Sequence, residues 1–355
     1  MCVDELIIKL AELYERHGLK RYKPGCFEDY SLYLDNIDFL ISKNVIAFGG
    51  AEGRLLALRP DVTLSVVSHL PDDKNTRKLY YAEKVYRRSG GGEFKELDQT
   101  GVEFVGDIDR VCESEIVWLI CDTLSLIGGR YILDVSHMGY IEGYMRALGA
   151  DNAQSRVVYE LLREKNAHDF VGFSRANGLD RGAAEIFERI INIGGTMADA
   201  VAEAKRYALN DDMERAADEL ECLARSLAGW EFCDNVRLNF SIANSADYYN
   251  GIIFNGYVDG VPKRVLSGGR YDKLLKKYSK SGGAIGFALY LGELERYFKT
   301  AAGVADSLIL YGVNTQREAL LRAREIIAGG GTVRLASEVP EDIKFKSVTD
   351  LRKFK

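Results

Sequence analysis

Apolar positions recur at helical spacing from the start of the chain. Leu6, Ile7, Leu10, Leu13 and Tyr14 share one face, and Gly18 ends the helix. Residues 20–28 read as extended, because Pro24 disfavours helix at Lys23. Short strands are expected at 45–48 and 54–58, and a short helix at 63–70. Two β-prone runs, 79–88 and 94–105, flank Ser89-Gly90-Gly91-Gly92, which predicts a hairpin with a long tip. Residues 111–128 read as a buried helix and 131–135 as a strand.

The texture changes from about residue 140 to 229, where Ala, Glu, Arg and Leu dominate at helical periods. This predicts a helical insertion at about 142–230. Strands return at 236–242, 251–258 and 264–265. Ser267-Gly268-Gly269 reads as a turn before Arg270-Tyr271-Asp272, and a last core segment spans 282–298. In the tail, 307–313 reads as a strand. Thr315-Gln316-Arg317-Glu318 has the form of a capping box opening a helix, and 332–336 reads as a second strand. Residues 338–355 are polar and basic, with no comparable second unit. The expected organisation is a core over 1–303 and a truncated α/β segment over 304–355.

Composition narrows the class. Lys plus Arg number 47 against 53 Asp plus Glu, a net charge of -6, which argues against a general nucleic-acid binder. No apolar run reaches the roughly 18 residues of a membrane span. The acidic start, Met1 to Glu5, is unlike a signal peptide. Six cysteines show no C-x-x-C spacing and read as reduced thiols of a cytoplasmic protein. Four scattered histidines give no metal-site pattern, so neither a metal nor a cofactor is expected.

Candidate chemistry gathers on the hairpin. Alternate strand residues share a face, so Lys95, Leu97, Gln99, Gly101 and Glu103 line one side. If Val85 and Arg87 face the same way, Arg87, Gln99 and Glu103 point into one cavity. Arginine suits a carboxylate or phosphate, and Gln and Glu suit an ammonium or imidazole. An ordinary solvated sheet face explains the same pattern. Asp61 and Thr63 flank a helix start and read equally as an N-cap. Tyr248 and Tyr249 read equally as core.

Order along the chain favours the first alternative. Arg59-Pro60-Asp61-x-Thr63 precedes Arg87, then Gln99-x-Gly101-x-Glu103, Asp247-Tyr248-Tyr249, Gly268-Gly269-Arg270-Tyr271-Asp272 and Gly286-Phe287-Ala288. This series resembles the class II aminoacyl-tRNA synthetase core of the histidyl lineage, over residues 1 to about 300. The resemblance implies an α+β fold: an antiparallel sheet flanked by helices, with the first helix and Pro24 region as a dimer element. It implies that Asp61 and Thr63 hold the amino group of histidine. Gln99 and Glu103 lie near the bound amino acid, Tyr248 and Tyr249 surround the imidazole, and Arg87 grips the ATP α-phosphate.

Two departures speak against aminoacylation. Asn244 stands where those synthetases carry an arginine before Asp-Tyr-Tyr, and Glu293 replaces the motif 3 arginine, with Arg296 a helical turn away. Phosphoryl chemistry depends on such cations. A branch of the lineage with these features is the regulatory subunits of short-form ATP phosphoribosyltransferase. Residues 134–139 and 164–169 resemble it too, with His137 structural. This implies no catalytic residues and a histidine site of Asp61, Thr63, Arg87, Gln99, Glu103, Tyr248 and Tyr249, in which the arginine takes the carboxylate. The implied partners are the short catalytic subunit, a homodimer within a hetero-oligomer and L-histidine as effector, without tRNA or membrane. A divergent histidyl-tRNA synthetase or amino-acid ligase is the alternative. A tRNA-binding accessory module is the third reading, and the net charge and short tail oppose it.

Overall fold

The computed structural model describes residues 2–40, 44–72, 75–88, 92–242, 248–299, 304–340 and 344–352. Two units form, Val3–Tyr297 and a smaller one built on Phe298–Lys355. In the first unit, helix α1 (Val3–Arg16) buries Leu6, Leu10 and Tyr14, four residues apart. Each such side chain contributes about 1.5–3 kcal/mol. The Tyr14 hydroxyl reaches Thr123 Oγ1 at 3.1 Å, fixing α1 against α4 (Arg110–Ile127).

Between these helices come β1 (Lys20–Arg21), β2 (Phe27–Asp29), α2 (Tyr30–Leu34), β3 (Ala47–Gly49) and β4 (Leu55–Leu58). Helix α3 (Thr63–His69) and a hairpin of β5 (Arg77–Arg88) and β6 (Phe94–Gly106) follow. After α4 comes β7 (Tyr131–His137) and then a run of helices: α5 (Met138–Leu148), α6 (Asn152–Arg163), α7 (Ala167–Ala176), α8 (Arg181–Glu185), α9 (Phe187–Asn192), α10 (Met197–Arg206) and α11 (Asp211–Leu227). The chain returns through β8 (Val236–Leu238), β9 (Ile252–Val258), β10 (Leu266–Arg270), α12 (Asp272–Lys277), β11 (Gly283–Tyr290) and α13 (Leu291–Lys299).

Eight strands make one sheet in the order β1-β5-β6-β11-β10-β9-β7-β8. Its inner pairs are antiparallel, and only the outer pairs β1·β5 and β7·β8 are parallel. The fold is α+β, an antiparallel central sheet flanked by helices, as expected. A second sheet, β2-β4-β3, stands beside it. The core under α3 and the hairpin packs Val62, Leu64, Val66, Tyr81, Val105 and Leu274.

Three local expectations change in this unit. The pair Gly268-Gly269 lies inside β10, not in a turn. A Cβ on Gly268 would sit 2.1 Å from the Gly286 carbonyl oxygen, so crowding from β11 requires glycine there. The strand expected at 264–265 begins at Leu266, and that expected over 236–242 ends at Leu238 in a short 3₁₀ turn.

The smaller unit holds β12 (Val304–Leu310), α14 (Gln316–Ala328), β13 (Val333–Ala336) and β14 (Lys344–Asp350). All three strands are parallel, in the order β13-β12-β14, with Ile309, Ala319, Ala323 and Leu351 as core. A single further strand, β14, follows the β-α-β unit, a strand that the polar run 338–355 did not predict. Strand β14 is a polar edge strand, and its Lys346 pairs with Asp306 at 2.6 Å. Nor does Thr315 form a capping box: its hydroxyl accepts from the Gly312 N–H at 2.9 Å instead. Among the described residues no helix is long and apolar enough to cross a membrane.

Candidate functional site

Strand pairing decides the hairpin question. Val85 faces Leu97, Glu83 faces Gln99 and Leu79 faces Glu103, so odd positions on both strands share one side. That side carries Arg87, Gln99 and Glu103, all buried. Opposite them, the segment Arg59-Pro60-Asp61-Val62 turns into α3. The Asp61 carboxylate accepts the Leu64 N–H at 3.2 Å, tying down the first turn, and it also lines a cavity of about 270 Å³. Asp61 thus both ties down the helix start and lines the cavity.

Glu103 also lines the cavity and is 2% exposed. Thr63 donates its hydroxyl to Glu103 Oε1 at 2.6 Å, and Tyr271 donates to Oε2. Burial pushes the Glu103 carboxyl up to about 8, and these two hydrogen bonds only partly oppose it. A Cβ on Gly286 would lie 2.0 Å from Glu103 Oε2, so glycine on the neighbouring strand is what leaves the carboxyl its place. Burial also raises Asp61, opposed by Arg87, whose Nη2 lies 3.8 Å from Asp61 Oδ2.

Arg87 and Gln99 form a layer behind the cavity and are not part of its lining. Arg87 Nε donates to the Pro60 carbonyl at 2.7 Å and Nη2 to Gln99 Oε1 at 3.0 Å. Gln99 in turn donates to the Tyr81 hydroxyl at 2.7 Å. Tyr248 and Tyr249 line the cavity edge-to-face, ring centres 4.5 Å apart, and Tyr248 lies 5.8 Å from both Phe39 and Tyr271. Five of the seven expected site residues therefore meet at one surface, and two support it from behind.

Sequence reasoning missed Tyr271, Tyr81 and Arg264. Tyr271 stood only as part of a family signature. Its neighbours are scaffold: Arg270 holds Glu113 at 2.8 Å and Asp272 at 2.9 Å, and Asp272 accepts the Ala284 N–H at 2.9 Å. Alternation along the strand end was the available signal, since residues flanking two inward tethers face the other way. Arg264 lines the cavity mouth with Ser267 and Tyr290, whose hydroxyls are 2.6 Å apart. No spacing rule pointed to it. Asn244 and Asp247 lie outside the described residues. At the motif 3 position Glu293 pairs with Lys263 at 3.2 Å. His137 caps α5, accepting the Gly139 N–H at 3.1 Å and contacting Glu219 at 2.8 Å. Among the described residues no group of His, Cys, Asp and Glu could hold a metal ion.

The chain is similar to known proteins over most of its length. The family described as histidyl-tRNA synthetase matches residues 2–294. An ATP phosphoribosyltransferase regulatory subunit from Geobacillus kaustophilus is 31% identical over 298 residues, 80% of this chain and 74% of that protein. The chain belongs to the histidyl-tRNA synthetase-like family of ATP phosphoribosyltransferase regulatory subunits. Solved folds of this family superpose on it. A regulatory subunit/histidyl-tRNA synthetase from Bacillus halodurans covers 98% of this chain and 93% of its own, with TM-score 0.79 and 23% identity. A chain of the ATP phosphoribosyl transferase (HisG:HisZ) complex from Thermotoga maritima covers 81% and 97%, with TM-score 0.65 and 19% identity.

Proposed function

We propose that this chain is a non-catalytic regulatory subunit acting in the first step of histidine biosynthesis. It binds and activates the short ATP phosphoribosyltransferase catalytic subunit and mediates feedback inhibition by L-histidine. It works as a cytoplasmic homodimer within a hetero-oligomer, without tRNA. The observation that carries the reading is the state of the site. The amino-acid-sized cavity keeps Asp61, Thr63 and Glu103, whereas Arg87 is engaged by Pro60, Gln99 and Asp61. A cation held in this way is not free to meet a phosphate. Glu293 adds a carboxylate where the synthetases carry an arginine.

In this reading Asp61 and Thr63 hold the ammonium of histidine, and Glu103 with Tyr248 and Tyr249 reads the imidazole. Arg87 and Gln99 position Asp61 from behind. Histidine inhibits because it binds one assembly state more tightly than the other. The test is turnover by a matched short-form catalytic subunit, with and without this chain, across a histidine titration. Activation reversed by histidine is the expected result, and absence of any effect refutes it. The retained cavity also fits a divergent histidyl-tRNA synthetase or amino-acid ligase, which requires histidine-dependent ATP–pyrophosphate exchange.

A further inference from the structure

An amino acid entering this cavity brings a carboxylate as well as an ammonium, and the carboxylate needs a cation or strong donors once water is removed. The cavity's described lining includes two acidic side chains, Asp61 and Glu103, and a single cation, Arg264. Arg87, the arginine that the sequence pattern offers for this task, is 8% exposed and turned toward Pro60, Gln99 and Asp61. Arg264 is held differently. The adjoining Val265 is fixed on both sides: its N–H donates to the Gly256 carbonyl at 2.9 Å, and its carbonyl accepts from Tyr290 at 2.7 Å. Arg264 itself is exposed. Among the described residues its guanidinium hydrogen-bonds only to the Asn255 side-chain oxygen, at 3.4 Å, and no carboxylate forms an ion pair with it. Most of its planar donor fork is therefore open.

We propose that Arg264 is the carboxylate-recognising residue of this site, gripping the α-carboxylate of the bound amino acid through two guanidinium N–H groups. This assignment rests on the histidine reading above. It divides the ligand among three parts of the wall: ammonium to Asp61 and Thr63, imidazole to Glu103 and the tyrosines, carboxylate to Arg264. It makes the site selective for the free acid over analogues that keep the ammonium and imidazole but lack the carboxylate.

Isothermal titration of the full chain with L-histidine and with histidinol, whose carboxylate is replaced by a hydroxymethyl group, tests it. The parent chain is expected to bind histidine about 10- to 100-fold more tightly than histidinol. Arg264→Ala should erase that preference while leaving histidinol affinity within about twofold. Arg264→Gln, which keeps the polar stem, should behave the same way and guards against a folding defect in the alanine variant. Variants that bind histidinol normally and still prefer histidine overturn the Arg264 assignment alone. So does a parent chain that binds both ligands equally. A parent chain that binds neither ligand overturns the histidine reading and this assignment with it.

Discussion

Replacing Glu103 by glutamine separates the electrostatics of the site from its shape. The Glu103 carboxyl is ordinarily near 4.5 and burial holds it at about 8, so across that interval the folded chain keeps a proton that the unfolded chain has lost. Stability from this group is fully present below pH 4.5 and disappears as the pH rises through 8. At about 1.4 kcal/mol per pH unit the loss between these limits is about 4 kcal/mol. Glutamine has no such proton. Its oxygen accepts from Thr63 as Oε1 does now, and its amide donates to the Tyr271 hydroxyl oxygen, a reversal costing about 1 kcal/mol. Glu103→Gln should therefore be more stable than the parent by about 3 kcal/mol at pH 8 and slightly less stable near pH 4.5. Histidine affinity above pH 8, where the parent carboxyl is ionised, should move the other way, about tenfold weaker, because a neutral amide replaces a charge-assisted hydrogen bond. Urea unfolding followed by tryptophan fluorescence at three pH values between 5 and 8 measures the first effect, and calorimetry the second. Parallel stability profiles for parent and variant would refute the buried, proton-holding Glu103 on which the argument rests.

Other substitutions probe the scaffold. Gly268→Ala drives a Cβ to within 2.1 Å of the Gly286 carbonyl and should cost about 3 kcal/mol or more in thermal unfolding, with a normal melting temperature counting against the strand crowding. Arg59 is 1% exposed, holds Glu83 at 3.2 Å and donates to the Pro24 and Lys84 carbonyls at 3.2 and 2.9 Å. Arg59→Ala should cost about 3–5 kcal/mol by leaving Glu83 and these carbonyls without a partner, and a loss below about 1 kcal/mol would contradict that. Burial pushes Glu219 up, but hydrogen bonds from Arg110 and His137 prevail and hold it well below the usual carboxylate range. Its stabilisation is present at neutral pH and fades as the pH falls below about 4.5. Glu219→Gln should therefore melt lower at pH 7, with the gap narrowing in acid; a gap independent of pH would show that the ion pairs do not contribute.

Much of the site's membership was legible because strand geometry has a period of two. Once 79–88 and 94–105 read as a hairpin, Gln99 and Glu103 had to share a face, and pairing by odd positions put Arg87 with them. Asp61 was legible by its place before a helix. Other features were invisible for equally local reasons. The Gly268-Gly269 pair carries turn chemistry, and only its neighbour β11 makes it a strand interior. Thr315 has the spacing of a capping box, yet a nearer N–H, that of Gly312, takes its oxygen. Strand β14 carries no apolar alternation that marks it in the sequence, and only its pairing with β12 reveals it.

The sequence by itself determined the alternation of elements, the family and the cluster of acidic and hydroxyl groups around Glu103. These follow from periodicity and from residues within one or two elements of each other. Only the tertiary structure decided what each charge touches. Arg87 and Arg264 are both arginines beside a glycine-rich sheet in sequence terms. Packing of the 59–62 segment against the hairpin turns one inward to Pro60, Gln99 and Asp61, while strand entry at Val265 leaves the other open at the cavity mouth. Desolvation acts through space, so the proton held by Glu103 depends on Thr63, Tyr271 and Gly286, residues 40, 168 and 183 positions away along the chain.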